Sequence, residues 1–277
     1  MSKNQVLELV SILLLLAVSI SCSEFRRIQK SDDWEKKYEA AMKYYEEKDY
    51  YRAAALFEEV LPIIKGSERA ELAEFYNAYA YYYQKQYILS GHYFEGFARI
   101  YARSENALEA AYMHAYSLYL QSPEFNLDQT PTYEAITAMQ NFINKFPYSE
   151  YKDRANEIID QLQTKLELKA YEGCKLYVKI TELRGYEAAM IAFDNFSKDY
   201  PDSDYNEEIK YLKIKTQYEY ARNSTTRRQE ERYKNVIDHY YDFLDDFPRS
   251  EYLRDAEDFF GKSVDRLEKV KTDNIND

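Results

Sequence analysis

Residues 41–57 read AMKYYEEKDYYRAAALF, and residues 78–94 read AYAYYYQKQYILSGHYF. In both stretches an alanine precedes a tyrosine by three positions, and a second small residue, twelve positions on, precedes a phenylalanine by four. Ala41, Ala78 and Ala115 are spaced 37 residues apart. Two helices can cross closely where each offers a small side chain, and a nearby aromatic ring fills the space beside the crossing. The pattern therefore predicts antiparallel helix pairs that stack in series.

A second motif marks the later junctions between helix pairs. Phe142-x4-Pro147-x-Ser149-x-Tyr151 recurs at residues 196–205 and 243–252. Proline disfavours the helical conformation of the residue before it, and the serine can cap the next helix by accepting hydrogen bonds from its free N–H groups. Both motifs together predict an all-α chain of five helix pairs and a final helix, at about 33–65, 68–103, 105–146, 150–200, 205–247 and 250–270. A long helix from Ser149 to Leu183 is expected to join the third and fourth pairs, and residues 223–229 are expected to form a polar loop.

Composition narrows the class of protein. Only 6 glycines and 6 prolines occur in 277 residues, too few for the many tight turns of a sandwich or barrel. The 49 acidic residues outnumber the 37 basic ones, and a net charge of −12 disfavours a nucleic-acid partner. Phosphate-binding glycine loops and an HExxH metal motif are missing, so we expect no cofactor, no metal and no enzymatic activity. Cys174, in an apolar helical stretch, is expected to be a small core residue.

The first residues have the character of an export signal. Leu9 to Ser21 is a run of 13 uncharged residues after Lys3, which is too short to span a bilayer but long enough for a signal-peptide core. The run ends at Cys22 and resembles the lipobox of bacterial lipoproteins. That resemblance implies a signal peptide over residues 1–21 and acylation of Cys22, with palmitate among the acyl groups. A lipidated linker over 22–32, the helical repeats over 33–270 and a polar tail over 271–277 would follow.

The repeats resemble the tetratricopeptide repeat (TPR), and the chain is expected to form a TPR superhelix. In TPR arrays the first helix of each pair lines a concave face, at three positions counted from the small residue. Besides Met42, the residues at these positions are Tyr38, Tyr45, Phe75, Tyr79, Tyr82, Tyr112, Tyr116 and Tyr119. They form either an aromatic groove for a peptide or ordinary core filling. Because the groove lacks the Lys and Asn that clamp a terminal carboxylate in some TPR proteins, we expect it to recognise aromatic and apolar side chains.

The lipobox, the five helix pairs and the proline junctions together resemble the BamD family, the lipoproteins of the outer-membrane β-barrel assembly (BAM) complex. The resemblance covers about Asp33 to Leu267, and its most specific part is Phe142 to Ser203, which includes NKFPYSEYKDRANEIIDQL. It implies a lipid-anchored protein on the periplasmic side of the cell outer membrane. Repeats at 33–146 would bind unfolded outer-membrane protein precursors for membrane insertion. Repeats at 147–270, chiefly about 185–267, would dock on the BamA-type β-barrel subunit.

Two other classes of protein share part of the pattern. One is another periplasmic TPR scaffold, which would usually carry a coiled-coil segment that this sequence lacks. The other is a SusD-like carbohydrate-binding lipoprotein, which also presents aromatic faces on helical repeats. Such proteins are much longer and have inserted loops, whereas the loops predicted here are short.

Overall fold

The computed structural model describes residues 24–180 and 185–276, and all regular structure in these ranges is helical. A short helical segment at 24–29 precedes eleven longer helices. These are α1 (Trp34–Glu46), α2 (Tyr50–Ile64), α3 (Glu68–Tyr83), α4 (Tyr87–Ile100), α5 (Ala107–Tyr119), α6 (Thr130–Lys145), α7 (Lys152–Ile180), α8 (Tyr186–Asp199), α9 (Asn206–Arg222), α10 (Thr226–Asp246) and α11 (Leu253–Asn276). The predicted all-α repeat architecture of five pairs and a final helix is confirmed. Residues 1–23, with the predicted signal peptide and Cys22, lie outside the described ranges.

The small residues of the repeat lie where helices cross. Ala41, Ala78 and Ala115 are fully buried. Between α4 and α5 the approach is close, because a Cβ built on Gly91 would lie 3.4 Å from the Cβ of Ser117. At this distance neither helix could carry a larger side chain at Gly91 or Ser117 without moving apart.

Each proline junction ends a helix as predicted. α6, α8 and α10 all stop two residues before the proline. The predicted serine caps are wrong in detail, because Ser203 Oγ accepts from the Tyr205 N–H at 3.1 Å, ahead of the first residue of α9. Ser250 makes the same bond to Tyr252 at 3.0 Å. Ser203 and Ser250 therefore each close a tight turn before the helix instead of capping its free N–H groups.

The tyrosine of each junction stacks on a tyrosine of an earlier helix. The pairs are Tyr112–Tyr151, Tyr171–Tyr205 and Tyr211–Tyr252, with ring centroids 4.4, 4.1 and 4.7 Å apart and interplanar angles of 14°, 13° and 14°. A stack of this kind contributes about 0.5–1.5 kcal/mol beyond the burial of its surface. The junction motif thus stops one helix and fixes the start of the next against its neighbour.

Two polar segments differ from the prediction. The loop expected at 223–229 is shorter, because α10 begins at Thr226. Ion pairs one turn apart, Arg228–Glu231 and Lys234–Glu230, support the helix over this charged sequence. Similarly, α11 continues to Asn276 and includes most of the polar tail expected at 271–277.

The chain divides into two compact units, 1–162 and 163–277. The boundary falls inside α7. The first turns of α7 belong to the first unit, because Ala155, Ile158 and Leu162 are buried in one core cluster with Phe94 and Met139. The second unit has its own core around Phe193, and a further one between α10 and α11.

The buried crossings yield a stability prediction. Ala115→Leu should lower the free energy of unfolding by roughly 1–3 kcal/mol, because the added atoms have no space at a fully buried site. Urea unfolding followed by circular dichroism measures the change. Ala188→Leu, at an exposed position of α8, is the matched control and should alter stability little. Equal effects of the two substitutions would contradict the close-crossing explanation.

Candidate functional site

The first helices of the three N-terminal repeats carry a connected set of aromatic rings. We call the tyrosine face the set that comprises Tyr45, Phe75, Tyr79, Tyr82, Tyr112, Tyr116 and Tyr119. On α3, the Tyr79 ring contacts those of Phe75 and Tyr82, at centroid distances of 5.1 and 6.2 Å. Tyr82 reaches Tyr116 of α5 at 6.4 Å, and Tyr116 contacts Tyr112 and Tyr119 at 5.7 and 5.5 Å. The rings therefore form one continuous surface across α3 and α5.

The eight aromatic residues predicted to line the groove differ in their exposure. Phe75 and Tyr112 are buried in the core, with 6% and 8% of their surface exposed. Tyr45, Tyr79, Tyr82, Tyr116 and Tyr119 are half-buried. Tyr38 lies apart from the tyrosine face: the Arg69 guanidinium lies 5.6 Å from its ring centroid and 5.6 Å from that of Trp34.

Tyr83 and Tyr50 extend this surface and were missed by the sequence reasoning. Tyr83 stacks on Tyr79 at 5.8 Å and on Tyr50 at 4.5 Å, and it also contacts Tyr45 at 6.5 Å. Tyr83 thereby connects Tyr45 of α1 to the rings of α3. The signal was present in the spacing, because Tyr83 lies four residues after Tyr79 on the same helix face.

Hydroxyl groups within the tyrosine face are held by neutral or anionic acceptors. The Tyr79 hydroxyl donates to the carboxylate of Glu109, and the Tyr119 hydroxyl donates to Gln161 Oε1 at 3.1 Å. Burial raises the pKa of Tyr79, and the bond to Glu109 raises it further. Burial likewise raises the pKa of Tyr45 and of Tyr82. These three phenols therefore stay neutral at physiological pH, and their rings suit apolar and aromatic groups.

A concave surface lies on the other side of α5. It is a groove of about 760 Å³ between α4, α5 and α6, which we call the alanine-lined groove; alanines 98, 102, 111 and 138 line it together with aromatic side chains such as Tyr133 and Phe142 and with charged and polar residues at its border. His114 lines it too, and its Nδ1 lies 2.9 Å from the Gly91 carbonyl oxygen, to which it donates. At 100° per residue, Tyr116 and His114 point to nearly opposite sides of the helix. The sequence did not reveal this groove, because it arises from small residues on three helices.

Other chemistry is sparse in the described ranges. They contain no group of three or more His, Cys, Asp or Glu side chains suited to a metal ion. Cys174 is buried as predicted; burial raises the pKa of its thiol to about 11, and the thiol donates to the Ala192 carbonyl at 3.5 Å. None of the helices in these ranges is long and apolar enough to cross a bilayer.

Comparison with known proteins identifies one matching family. The family described as YfiO, outer membrane lipoprotein, matches residues 30–183. This range covers more than half of the chain and includes the whole tyrosine face. No curated protein gives a significant match.

The buried phenols predict a loss of stability in alkali. The pKa of Tyr101 is raised to about 12, by burial and by the nearby Glu74 to which its hydroxyl donates at 3.1 Å. Above pH 10, the usual pKa of tyrosine, the unfolded chain releases phenolic protons that the folded chain retains. The free energy of unfolding should therefore decrease as the pH rises from 10 toward 12. Urea unfolding at several pH values, paired with ultraviolet titration of tyrosinate, tests this. Unchanged stability across that range would contradict the burial of these hydroxyls.

Proposed function

Because this chain belongs to the YfiO family of outer-membrane lipoproteins, the BamD family named above, we propose that it is a non-enzymatic component of the β-barrel assembly machinery. In this role it binds unfolded outer-membrane proteins with its first unit and transfers them to a BamA-type barrel subunit. The observation that carries the proposal is the tyrosine face. The family membership provides the location at the outer membrane.

Attachment to the membrane is proposed to depend on Cys22. The uncharged run that precedes Cys22 suits a cleaved lipoprotein signal. Several acyl chains on one residue exceed what stable membrane attachment requires. The remainder of the chain, from about residue 24, would then be held at the periplasmic surface of the outer membrane.

The tyrosine face is proposed to bind the aromatic and apolar side chains of an unfolded barrel precursor. Its half-buried rings, such as Tyr82 and Tyr116, are held in place by neighbouring rings and lose little freedom when a ligand packs on them. Neutral hydroxyls give the surface polar groups without charge. A precursor strand that ends in aromatic residues matches this chemistry, whereas the Glu109 carboxylate that accepts from Tyr79 would repel an acidic tail.

The second unit is proposed to dock on the barrel subunit. It is a separate compact unit, with cores around Phe193 and between α10 and α11. Precursor binding and docking can therefore occupy different units of the same chain. The family match covers residues 30–183, so the docking role of this unit is proposed from the resemblance of the repeats and not from that match.

Loss of the acylated cysteine should release the protein from the membrane. Cys22→Ser removes the thiol that would receive the lipid, so the variant should accumulate in the soluble periplasmic fraction or keep its uncleaved signal. Fractionation of cells, together with the mass of the purified protein, distinguishes these forms. Cys174→Ser, at a buried cysteine, is the control and should remain in the outer membrane. Cleavage and membrane retention of Cys22→Ser would contradict lipidation.

The tyrosine face should determine the affinity for a precursor peptide. Tyr82→Ala combined with Tyr116→Ala removes two rings, each worth about 0.5–1.5 kcal/mol, so the Kd for a peptide copied from the last strand of a barrel protein should rise roughly 5- to 150-fold. Calorimetric titration measures the change.

Tyr148→Ala combined with Tyr241→Ala is the matched control for this titration. These tyrosines are 99% and 52% exposed and belong to neither the tyrosine face nor the alanine-lined groove. Equal affinities of all three proteins would refute the proposed binding surface. If the protein binds a soluble oligosaccharide and does not bind the peptide, the carbohydrate-binding alternative is favoured.

A further inference from the structure

Several exposed apolar side chains lie at one edge of the first unit, and Ile63, Ile100 and Tyr148 are exposed at the opposite edge. Tyr51 and Ile88 are 71% and 73% exposed, and Tyr83 and Leu127 are 48% and 55% exposed. All four lie in or beside the turns that follow α1, α3 and α5. Because successive helices joined by short turns alternate in direction, these three turns lie on the same edge.

Two of these turns have the same construction. Lys48 and Lys85, 37 residues apart, occupy the turn tips in the left-handed region, with φ of 63° and 60°, and both are exposed. Tyr50 after the first turn stacks on Tyr83 before the second, and Gln84 Nε2 donates to the Tyr50 carbonyl at 3.2 Å. We call the turn rim the set that comprises Lys48, Tyr50, Tyr51, Tyr83, Lys85 and Ile88.

The N-terminal end of the described chain lies beside this rim. The Phe25 ring contacts the Tyr44 ring at 5.9 Å, and the Arg52 guanidinium covers both rings, at 5.5 and 5.6 Å. Tyr44 lies in the last turn of α1 and Arg52 in the first turn of α2, so both flank the first turn of the rim. Farther along the chain, Gln29 Nε2 donates to Glu59 Oε1 at 3.0 Å, well into α2. The segment at 24–29 therefore begins at the rim and runs away from it.

The position of Glu24 indicates which surface lies against the turn rim. Cys22 precedes Glu24 by two residues, and two residues of chain span at most about 7 Å. If Cys22 carries the acyl anchor, as the proposed function holds, the bilayer surface lies within reach of the rim. Tyrosine and lysine are the side chains that settle at the interface between lipid and water, the tyrosine by its amphipathic ring and the lysine by extending its amine outward.

We propose that the turn rim rests on the bilayer interface next to the acyl anchor. The contact is made by rings and aliphatic side chains, because exposed Glu46 and Glu47 lie beside the rim and the whole chain carries a net charge of −12. Attraction to anionic lipid therefore does not drive it. Tyr148, in the turn between α6 and α7 at the opposite edge, points away from the membrane in this arrangement.

The test places a fluorescent reporter at the rim. The mature chain from Ser23, with an N-terminal hexahistidine tag, is bound to zwitterionic vesicles that contain a nickel-chelating lipid. Ile88→Cys is labelled with an environment-sensitive dye, since Cys174 is buried and does not compete for the label. Spin-labelled lipid should quench the dye at least about two-fold, as expected for a group at the headgroup boundary. The matched control, Tyr148→Cys with the same dye, should not be quenched.

Each outcome decides the proposal. Absent quenching at Ile88→Cys, or equal quenching at both positions, would overturn it. Quenching that requires anionic lipid would also overturn it, because the contact would then be electrostatic. The nickel lipid replaces the acyl anchor in this measurement. The quenching therefore tests contact between the turn rim and the bilayer independently of the acylation of Cys22. If Cys22→Ser is cleaved and still stays in the membrane in cells, the anchor is wrong even when the rim is correct.

Discussion

Close helix crossing at buried alanines is the constraint on which the first unit depends. Ala41, Ala78 and Ala115 have no exposed surface, and they recur every 37 residues because each repeat must bring two helices together at the same height. Where the crossing face is filled by alanine, large side chains have to occupy the other faces of the helix. Tyr82 and Tyr116 occupy such a face, and their contact at 6.4 Å continues the ring surface from one repeat to the next. The tyrosine face is thus a direct consequence of how the repeats pack.

The turn rim and the proline junction with Tyr148 lie where they do because successive helices of the first unit alternate in direction. Turns after α1, α3 and α5 fall on one edge, where Tyr51 and Ile88 are largely exposed. The proline junction with Tyr148 falls on the opposite edge. The turn rim beside the anchor and the peptide surface along α3 and α5 adjoin at Tyr50 and Tyr83, whereas Tyr82 and Tyr116 belong to the peptide surface and not to the rim. With the anchor at the rim, the tyrosine face runs from the membrane edge toward the periplasm.

Much of this architecture could be predicted from the sequence, because the deciding residues are local and periodic. The 37-residue spacing and the proline junctions located the helices to within a few residues. What could not be predicted depends on several helices at once. The contacts of Tyr83 with Tyr50 require α2 and α3 to be placed together. The alanine-lined groove needs three helices, and the boundary inside α7 depends on which core buries Leu162. Ser203 does not cap the next helix as predicted, because the turn places its hydroxyl next to the Tyr205 N–H, which precedes the first residue of α9.

The most direct test of the central claim is photo-crosslinking in living cells. A photoreactive phenylalanine derivative is placed at Tyr116, within the ring surface, or at the fully exposed Tyr148 of the opposite edge. If the tyrosine face receives unfolded barrel proteins, irradiation should produce adducts with newly exported outer-membrane proteins at Tyr116 and not at Tyr148. An absence of such adducts at Tyr116, or equal yields at both positions, would contradict the claim.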